Sequence, residues 1–348
     1  MSSRPTITVV VSTRNRGAMI EPALRSLIAL DHPAFEIIVI DQSSDDITGE
    51  LARGLAGVDS RIRYVHSRRV GLSCGRNDGI AESHGDVVAF TDDDCVVDPG
   101  WLSAIEAEMD DPEVAGVFGR VLPNEYRGRS GIDLAFKDSE ERKEYRGRAI
   151  PWHIGHGANM AFRRADLVAM GAFDEVLGAG GPLPSHEDSD MSYRMLASGR
   201  RLVFSPTSLV YHRQWRDWDE RKRTERAYGL GAGGQFTKYV RCRDGSGLRL
   251  LATWIWQLGV RRFGAGLLKW RSRKVMYLGF TQLLYPWVGV WRSFRFGVDT
   301  ARTIYLPEMP PVSDRLVNER LSDRLSDRAP VTSAAQLAAE ASDAVEHR

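Results

Sequence analysis

The sequence has few cysteines and lacks the segments that usually direct a chain through a membrane. Cys74, Cys95 and Cys242 stand far apart in 348 residues and form no C-x-x-C pair. This pattern excludes a disulfide framework or a zinc knuckle, and it predicts a reducing, cytoplasmic compartment. Residues 1–5 lead into a strand without a signal-peptide hydrophobic region. No stretch has the length expected of a transmembrane helix. The longest uncharged run, 275–291, is also interrupted by two glycines and a proline.

A glycine-rich phosphate loop is also missing. The polar residues Ser12–Arg16, which follow the first apolar run, contain no glycine. A NAD-dependent dehydrogenase needs G-x-G-x-x-G at this place, so that class is excluded. A nucleotidyltransferase of similar fold would also need a phosphate loop here and stays a weaker alternative.

Charge and tryptophan are concentrated in the second half of the chain. The formal net charge is only +1, but residues 201–300 contain 19 Lys and Arg against 6 Asp and Glu, and seven of the nine Trp lie from Trp215 onward. Such a segment suggests an anionic membrane surface or a phosphate-bearing ligand. No nucleic acid is expected, because the Trp residues cluster with aliphatic residues and do not alternate with basic ones. A non-catalytic nucleotide- or glycan-binding protein remains a further alternative.

Apolar strands and helices alternate over the first 120 residues. Strands are predicted at 6–12, 35–40, 62–65 and 87–90, and amphipathic or polar helices separate them. A further helix is predicted to open at Asp98-Pro99, with proline at its first position. The order predicts an α/β fold with a mostly parallel sheet flanked by helices. Because right-handed crossovers bring the carboxyl ends of parallel strands to one edge, Ser12–Arg16, Asp41–Asp46 and Asp92–Asp94 should meet in one crevice.

Three successive aspartates end the fourth predicted strand. Two carboxylates separated by one residue, Asp92 and Asp94, can bind Mn²⁺ or Mg²⁺, which prefer oxygen ligands. A solvated turn or a helix cap is the alternative interpretation, and the apolar strand in front of the run favours the metal. His212 ends another apolar run and could be a third ligand or a structural histidine.

A second acidic cluster lies at 186–190. Transfer of a group to a hydroxyl needs a carboxylate that removes a proton, and Asp188 or Asp190 could serve. Asp190 and Arg194 have the i,i+4 spacing of a helical ion pair, which leaves Asp188 as the better candidate.

Six segments in the same order resemble family 2 glycosyltransferases of the GT-A fold. They are 9–16, 37–41, 71–80, 90–95, 157–163 and 187–190. The resemblance implies that Asp41 contacts the nucleotide base, that Arg76 lies near the base and phosphates of the donor, and that Asp188 is the base of an inverting displacement. The resemblance also favours His212 as a metal ligand beside Asp92 and Asp94.

The resulting interpretation is an inverting transfer of a sugar from a nucleotide-diphosphate sugar, with UDP favoured over dTDP or GDP, to a hydroxyl of a lipid-linked or cell-envelope glycan. Predicted donor contacts are Thr13, Arg14, Arg16, Asp41, Ser43, Arg76, Asn77, Asp92 and Asp93. Predicted catalytic residues are Asp188 and Glu187, and predicted acceptor contacts are Trp152, His153 and Asn159.

Four regions are expected along the chain. Residues 1–120 would form the nucleotide-sugar-binding half and 121–215 the acceptor and catalytic half of one GT-A domain. Residues 216–306 would form a basic, aromatic-rich helical extension, and 307–348 a charged, partly disordered tail. The extension either lies on an anionic membrane, at the inner face of the cell membrane, or packs as helices on the sheet domain.

Overall fold

A computed structural model of the chain describes residues 6–124, 136–213 and 217–306. Within these residues the strands are β1 (Ile7–Thr13), β2 (Phe35–Asp41), β3 (Ile62–His66), β4 (Val87–Asp92), β5 (Cys95–Val97), β6 (Val114–Pro123), β7 (Lys143–Tyr145), β8 (Asn159–Arg163), β9 (Arg201–His212), β10 (Gly297–Asp299) and β11 (Ile304–Leu306). The α-helices are α1 (Glu21–Ile28), α2 (Ile47–Ala56), α3 (Leu72–Glu82), α4 (Trp101–Met109), α5 (Arg164–Ala169), α6 (Glu187–Ala197), α7 (Trp218–Arg241), α8 (Ser246–Trp254), α9 (Arg261–Leu268) and α10 (Arg273–Ser293).

One nine-stranded mixed sheet organises the fold. The strand order is β3-β2-β1-β4-β8-β6-β9-β5, and β7 also pairs with β9. Strands β1 to β4 are parallel; β8 is antiparallel to β4 and to β6, and β6 is parallel to β9. Six strands therefore run in one direction and β5, β7 and β8 in the other. The predicted α/β fold with a mostly parallel sheet flanked by helices is confirmed.

The central strands are apolar throughout because both faces of the sheet are covered. In β1, Val9 and Val11 pack into the hydrophobic cluster on one face, and Val10 packs into the cluster on the other. In β2, Ile37 and Ile38 divide between the two faces in the same way. This arrangement explains why the strands read as continuous hydrophobic runs instead of alternating ones.

Parallel register brings the polar ends of the strands together. Thr13 at the end of β1 is paired with Asp41 at the end of β2, and Ser12 is paired with Asp92 at the end of β4. The predicted convergence of the three polar segments follows from this register.

The helical region after the sheet is tightly packed on itself. A Cβ atom at Gly233 of α7 would lie 1.9 Å from the carbonyl oxygen of Pro286 in α10, so the two helix backbones are in direct contact. Helix α10 continues through Pro286, and residues 255–260 form a π-helical turn between α8 and α9. The uncharged run 275–291, with its two glycines and its proline, thus lies within one continuous helix. Over the described ranges, no helix combines the length and the apolar character that crossing a membrane requires.

One detail of the sequence interpretation changes, and two features lie outside the described residues. The helix expected from Asp98-Pro99 begins at Trp101, because Asp98 Oδ1 accepts a hydrogen bond from the N–H of Gly100 in a preceding turn. The described residues between 6 and 306 form one compact unit. The predicted tail, 307–348, and Trp215 lie outside the described residues.

Candidate active site

A crevice of about 270 Å³ opens at the carboxyl ends of β1 and β4. It contains six of the residues that the sequence assigned to the donor or the metal. Its lining is Ser12, Thr13, Arg14, Arg16, Gln42, Gly71, Leu72, Asp92, Asp93, Asp94, Ala179 and Gly180. The crevice thus combines a carboxylate cluster with two arginines, which suits a ligand that carries phosphate and a cation.

Asp93 is held by its neighbours inside this crevice. It accepts hydrogen bonds from the Thr13 hydroxyl and from Arg16 Nη1, both at 2.7 Å, and the same Arg16 nitrogen lies 3.0 Å from Asp94 Oδ2. Burial raises the pKa of Asp93 to about 6, while the nearby Arg16 charge opposes this shift. The arrangement indicates that Asp93 fixes the loop that carries Asp92 and Asp94.

Four possible metal ligands lie beside the crevice. Ligand atoms of Asp92, Asp94, Cys95 and His212 all fall within 4.8 Å of one another. Antiparallel pairing of β5 with β9 places Cys95 opposite His212, and His212 Nε2 lies 3.4 Å from Asp94 Oδ1. The structure therefore brings together the three residues assigned to the metal from the sequence.

Cys95 was not predicted as part of this group. Burial raises the pKa of its thiol, and the carboxylates of Asp92 and Asp94 raise it further. Sulfur is a soft ligand, whereas Mn²⁺ and Mg²⁺ prefer oxygen. The two carboxylates suit Mn²⁺ or Mg²⁺ for this reason, and an imidazole nitrogen is an acceptable third donor for Mn²⁺. The residues present therefore fit such a cation through Asp92, Asp94 and His212.

Asp41 is buried under the end of β2. Its Oδ1 accepts the N–H of Ser43 at 2.9 Å, its Oδ2 accepts the hydroxyl of Tyr64 at 3.0 Å, and the side chain has no exposed surface. The Ser43 hydroxyl in turn accepts the N–H of Asn15 at 2.7 Å. Neither Asp41 nor Ser43 lines the crevice, so their contacts with a nucleotide stay a prediction. Tyr64, which the sequence did not single out, buttresses Asp41.

Arg76 connects the two acidic clusters. Its Nη1 lies 2.9 Å from Glu187 Oε1, and its Nη2 lies 3.3 Å from Asp92 Oδ1 and 3.1 Å from the carbonyl oxygen of Gly157. Burial raises the pKa of Glu187 to about 7, with Asp188 adding to the shift and Arg76 opposing it. Arg76 is 3% exposed, so its guanidinium acts mainly as a fixed positive charge between the metal carboxylates and the start of α6.

Asp188 lies at the start of α6 with its carboxylate held in place. Oδ2 accepts the N–H of Gly157 and Oδ1 accepts the N–H of Ser189, both at 2.7 Å. The neighbouring Asp190 forms the predicted pair with Arg194, at 2.8 Å. Asp188 is half-buried and faces a second cavity, whereas Asp190 is enclosed, so the geometry favours Asp188 as the base.

Polar side chains of α7 hold α6 in position, and no pattern in the sequence predicted these contacts. The Ser189 hydroxyl donates to Gln235 Oε1 at 2.8 Å, and Lys238 Nζ lies 2.7 Å from Asp190 Oδ1. The same Lys238 nitrogen lies 2.6 Å from Asp174 Oδ2, and the lysine has no exposed surface. The helical extension is therefore part of the support of the candidate base.

The second cavity, of about 410 Å³, lies between the sheet domain and the helical extension. Its lining is Phe136, Trp152, Gly155, His156, His186, Asp188, Ser189, Arg221, Glu225, Tyr228, Trp254, Leu258 and Arg262. Trp152 is in this lining, as expected of an acceptor contact. His153, the neighbouring predicted contact, is not in the lining, whereas His156 is.

Two asparagines that were assigned to ligands have structural contacts. Asn77 donates to the carbonyl oxygen of Phe173 and accepts from its N–H, each at 2.9 Å, which ties α3 to the loop after α5. The Asn159 amide donates to the carbonyl oxygens of Arg120 and Ser208, and its Oδ1 accepts from the indole of Trp101. Neither lines a cavity described above. The structure thus favours a packing role over the donor contact predicted for Asn77 and the acceptor contact predicted for Asn159.

Comparison with known proteins agrees with this arrangement. Residues 8–170 match the family model described as glycosyl transferase family 2. These residues belong to glycosyl transferase family 2. The match contains the crevice aspartates, Arg76 and Gly157, so the resemblance stated from the sequence is confirmed. Asp188 and His212 lie beyond the matched residues.

Curated relatives of the family 2 segment are glycosyltransferases. The chain is 29% identical over 234 residues to the pre-mycofactocin glycosyltransferase of Mycobacterium tuberculosis, covering 62% of this chain and 45% of the relative. It is 32% identical over 149 residues to the GalNAc(5)-diNAcBac-PP-undecaprenol beta-1,3-glucosyltransferase of Campylobacter jejuni, covering 40% and 47%. The chain spans less than half the length of these two relatives.

A solved structure shares the fold well beyond the family 2 segment. The mannosyltransferase PcManGT from Pyrobaculum calidifontis, in complex with GDP-Man and Mn²⁺, aligns with a TM-score of 0.59 at 19% identity. The alignment covers 84% of this chain and 88% of that one. It confirms a fold of the predicted GT-A type.

Proposed function

We propose that this protein is an inverting glycosyltransferase, which moves a sugar from a nucleotide-diphosphate sugar to a hydroxyl of an acceptor. The observation that carries the proposal is the connection between the two sites through one guanidinium. Arg76 lies within 3.3 Å of Asp92 in the crevice and within 2.9 Å of Glu187, the neighbour of Asp188. A donor and an acceptor bound on either side of Arg76 would therefore meet at Asp188.

The crevice at the ends of β1 and β4 is the proposed donor site, within the half of the domain at 1–120. Asp92, Asp94 and His212 would hold a Mn²⁺ or Mg²⁺ ion, which when bound neutralises charge on the leaving diphosphate. Arg14 and Arg16 contribute positive charge at the same opening. We favour a UDP-sugar over a dTDP- or GDP-sugar.

Asp188 is the proposed general base, in the half of the domain at 121–215. Two backbone N–H groups hold its carboxylate in one orientation, and each oxygen keeps lone pairs for a further hydrogen bond. It would take the proton of the acceptor hydroxyl as that oxygen attacks the anomeric carbon from the face opposite the diphosphate. Attack from that face inverts the anomeric configuration. Glu187 would assist by holding Arg76.

The proposed acceptor is a lipid-linked or cell-envelope glycan met at an anionic membrane surface. Of 18 exposed large hydrophobic side chains in the described residues, 11 lie between Leu248 and Phe294. Residues 245–298 contain nine Lys and Arg and no Asp or Glu. Exposed aromatic residues with a purely basic surrounding are typical of helices that lie in the interface of an anionic bilayer. The name of the Campylobacter jejuni relative contains undecaprenol, a lipid carrier, which supports the same acceptor class.

An assay of the full chain with a panel of nucleotide sugars tests the transferase proposal. With Mn²⁺ present, one nucleotide sugar should give nucleoside diphosphate release that a chelator abolishes. Release of pyrophosphate from a nucleoside triphosphate and a sugar phosphate would instead identify a nucleotidyltransferase. Binding of a nucleotide sugar without any turnover, even with glycolipid acceptors supplied, would contradict the proposal.

Membrane contact is tested by co-sedimentation with vesicles of phosphatidylglycerol and phosphatidylcholine. Trp256 and Trp287, which are 60% and 55% exposed, line one apolar groove on the helical extension. The double variant Trp256→Ser, Trp287→Ser should pellet less than the wild type. Val58→Ser, at an 88% exposed position on the sheet domain, is the matched control. Equal pelleting of all three proteins would contradict membrane contact and, with it, the inner-face location.

A further inference from the structure

The cavity beside Asp188 contains a cluster of charged residues that the proposed chemistry does not use. Glu225 of α7 is buried, and Arg262 Nη1 contacts its Oε1 at 2.6 Å while Arg221 Nη2 contacts its Oε2 at 2.9 Å. Gln282 of α10 donates a further hydrogen bond to Oε1 at 3.0 Å. The carboxylate is therefore fixed by three side chains from three helices, and both arginines line the cavity.

Two guanidinium groups contact this one carboxylate, Arg221 from the same helix and Arg262 from α9. Among the described residues, Arg262 makes a single hydrogen bond, from Nη1 to Glu225, and its side chain is 24% exposed. A guanidinium carries five N–H donors in a planar fork that matches the oxygens of a phosphate. Arg262 thus offers donors toward the cavity in a fixed orientation.

Aromatic side chains form other walls of the same cavity. Trp152, Tyr228 and Trp254 line it together with His186. Burial lowers the pKa of His186 to about 4, so this histidine is neutral near pH 7. Arg221 and Arg262 are the arginines of the lining. The Trp152 indole N–H is buried without a hydrogen-bond partner among the described residues. Aromatic faces and an unused N–H donor suit a sugar ring.

The cavity and the apolar groove share one stretch of helix. Leu258 and Arg262 line the cavity, whereas Trp256 and Val260, from the same two turns, line the groove on the exposed apolar surface. A ligand bound in the cavity would therefore have its charged end next to residues that continue into the lipid-facing surface.

We propose that the Arg221–Glu225–Arg262 cluster is the anion subsite of the acceptor cavity and binds the phosphate of an acceptor glycan carried on a lipid phosphate. The proposal rests on the proposed function, since it treats the cavity at Asp188 as the acceptor site. It adds the chemical class of that acceptor: a phosphate lies at the arginines, a sugar ring lies against the aromatic walls, and the hydroxyl to be glycosylated lies at Asp188.

Calorimetric titration of the full chain with farnesyl diphosphate and with inorganic pyrophosphate tests the subsite. A chelator keeps divalent cations away from Asp92 and Asp94, so that the probes report on the second cavity. Farnesyl diphosphate should bind, and Arg262→Gln should weaken this binding by about tenfold or more, as expected for a charge-assisted hydrogen bond. Arg164→Gln, at an exposed position of α5, should leave the affinity unchanged.

Three results would overturn the proposal. The first is that neither probe binds, and the second is that the Arg262→Gln and Arg164→Gln proteins bind farnesyl diphosphate with equal affinity. The third is that pyrophosphate binds as tightly as farnesyl diphosphate, which would indicate a site for free phosphate. Arg262→Lys keeps the charge that balances Glu225 and should bind with intermediate affinity, so it replaces Arg262→Gln if that protein fails to fold. No donor is present in these titrations. A chain that binds farnesyl diphosphate through Arg262 yet turns over no nucleotide sugar would refute the proposed function and leave the subsite intact.

Discussion

The substitution Asp188→Asn tests the candidate base, because it should lower turnover and leave the protein folded. The carboxylate accepts one backbone N–H on each oxygen, from Gly157 and from Ser189. Asparagine keeps one of these acceptors and presents an NH₂ group to the other donor, so one charge-assisted hydrogen bond is lost. That loss costs about 1.5–3 kcal/mol. Since domains of this kind are stable by about 5–15 kcal/mol, the variant should remain folded.

The effect on turnover should be larger than the effect on stability. Asparagine cannot take a proton, and loss of a general base lowers kcat by roughly 10²-fold or more. This corresponds to about 2.7 kcal/mol or more of activation free energy. Nucleoside diphosphate release under saturating donor and acceptor measures kcat, and donor affinity should stay unchanged because Asp188 is not in the crevice lining. Asp110→Asn, at an exposed position after α4, is the control. A kcat of Asp188→Asn close to that of the control would refute the assignment of the base.

Three further predictions concern the metal, a buried histidine and a buried lysine. Asp92→Asn should abolish turnover and the thermal stabilisation by Mn²⁺ plus nucleoside diphosphate together; survival of that stabilisation would exclude Asp92 as a ligand. The lowered pKa of His186, about 4, means that stability present above pH 6.5 is lost as pH falls toward 4, by up to about 3 kcal/mol. Urea unfolding of His186→Asn should lack this loss, and equal pH profiles would contradict it. Lys238→Met leaves the buried carboxylate of Asp174 without its cation and Asp190 with Arg194 alone, so it should cost about 3–5 kcal/mol in urea unfolding; a cost below 1 kcal/mol would contradict it.

Alternation of strands and helices was enough to predict where the crevice lies. Because β2 and β4 are parallel neighbours of β1, their carboxyl ends meet at one edge of the sheet, where Thr13 pairs with Asp41 and Ser12 with Asp92. Contacts made by antiparallel strands were harder to predict. Cys95 comes next to His212 only because β5 turns back against β9, and no local pattern in the sequence encodes that pairing.

Side chains with equal capacity for structural and functional contacts were the other limit. Asn77 and Asn159 carry amides that can bind a ligand or a backbone group, and only the folded chain shows that both bind backbone groups. The support from α7 had no sequence signal either, since Gln235 and Lys238 read as ordinary helix residues until Ser189 and Asp190 are seen beside them.

Two glycines of α7 allow close packing beside the cavity that we propose as the acceptor site. A Cβ at Gly231 would lie 2.1 Å from the Ser185 hydroxyl oxygen and 2.9 Å from Nδ1 of His186, which precedes Asp188 by two residues. A Cβ at Gly233 would in the same way contact the backbone of α10. The spacing between the base and the arginine cluster is therefore set by the absence of side chains at these positions. A single methyl group there would shift one wall of the cavity relative to the other. Substitution of these glycines in related chains could therefore change acceptor preference while every residue that contacts the acceptor stays the same.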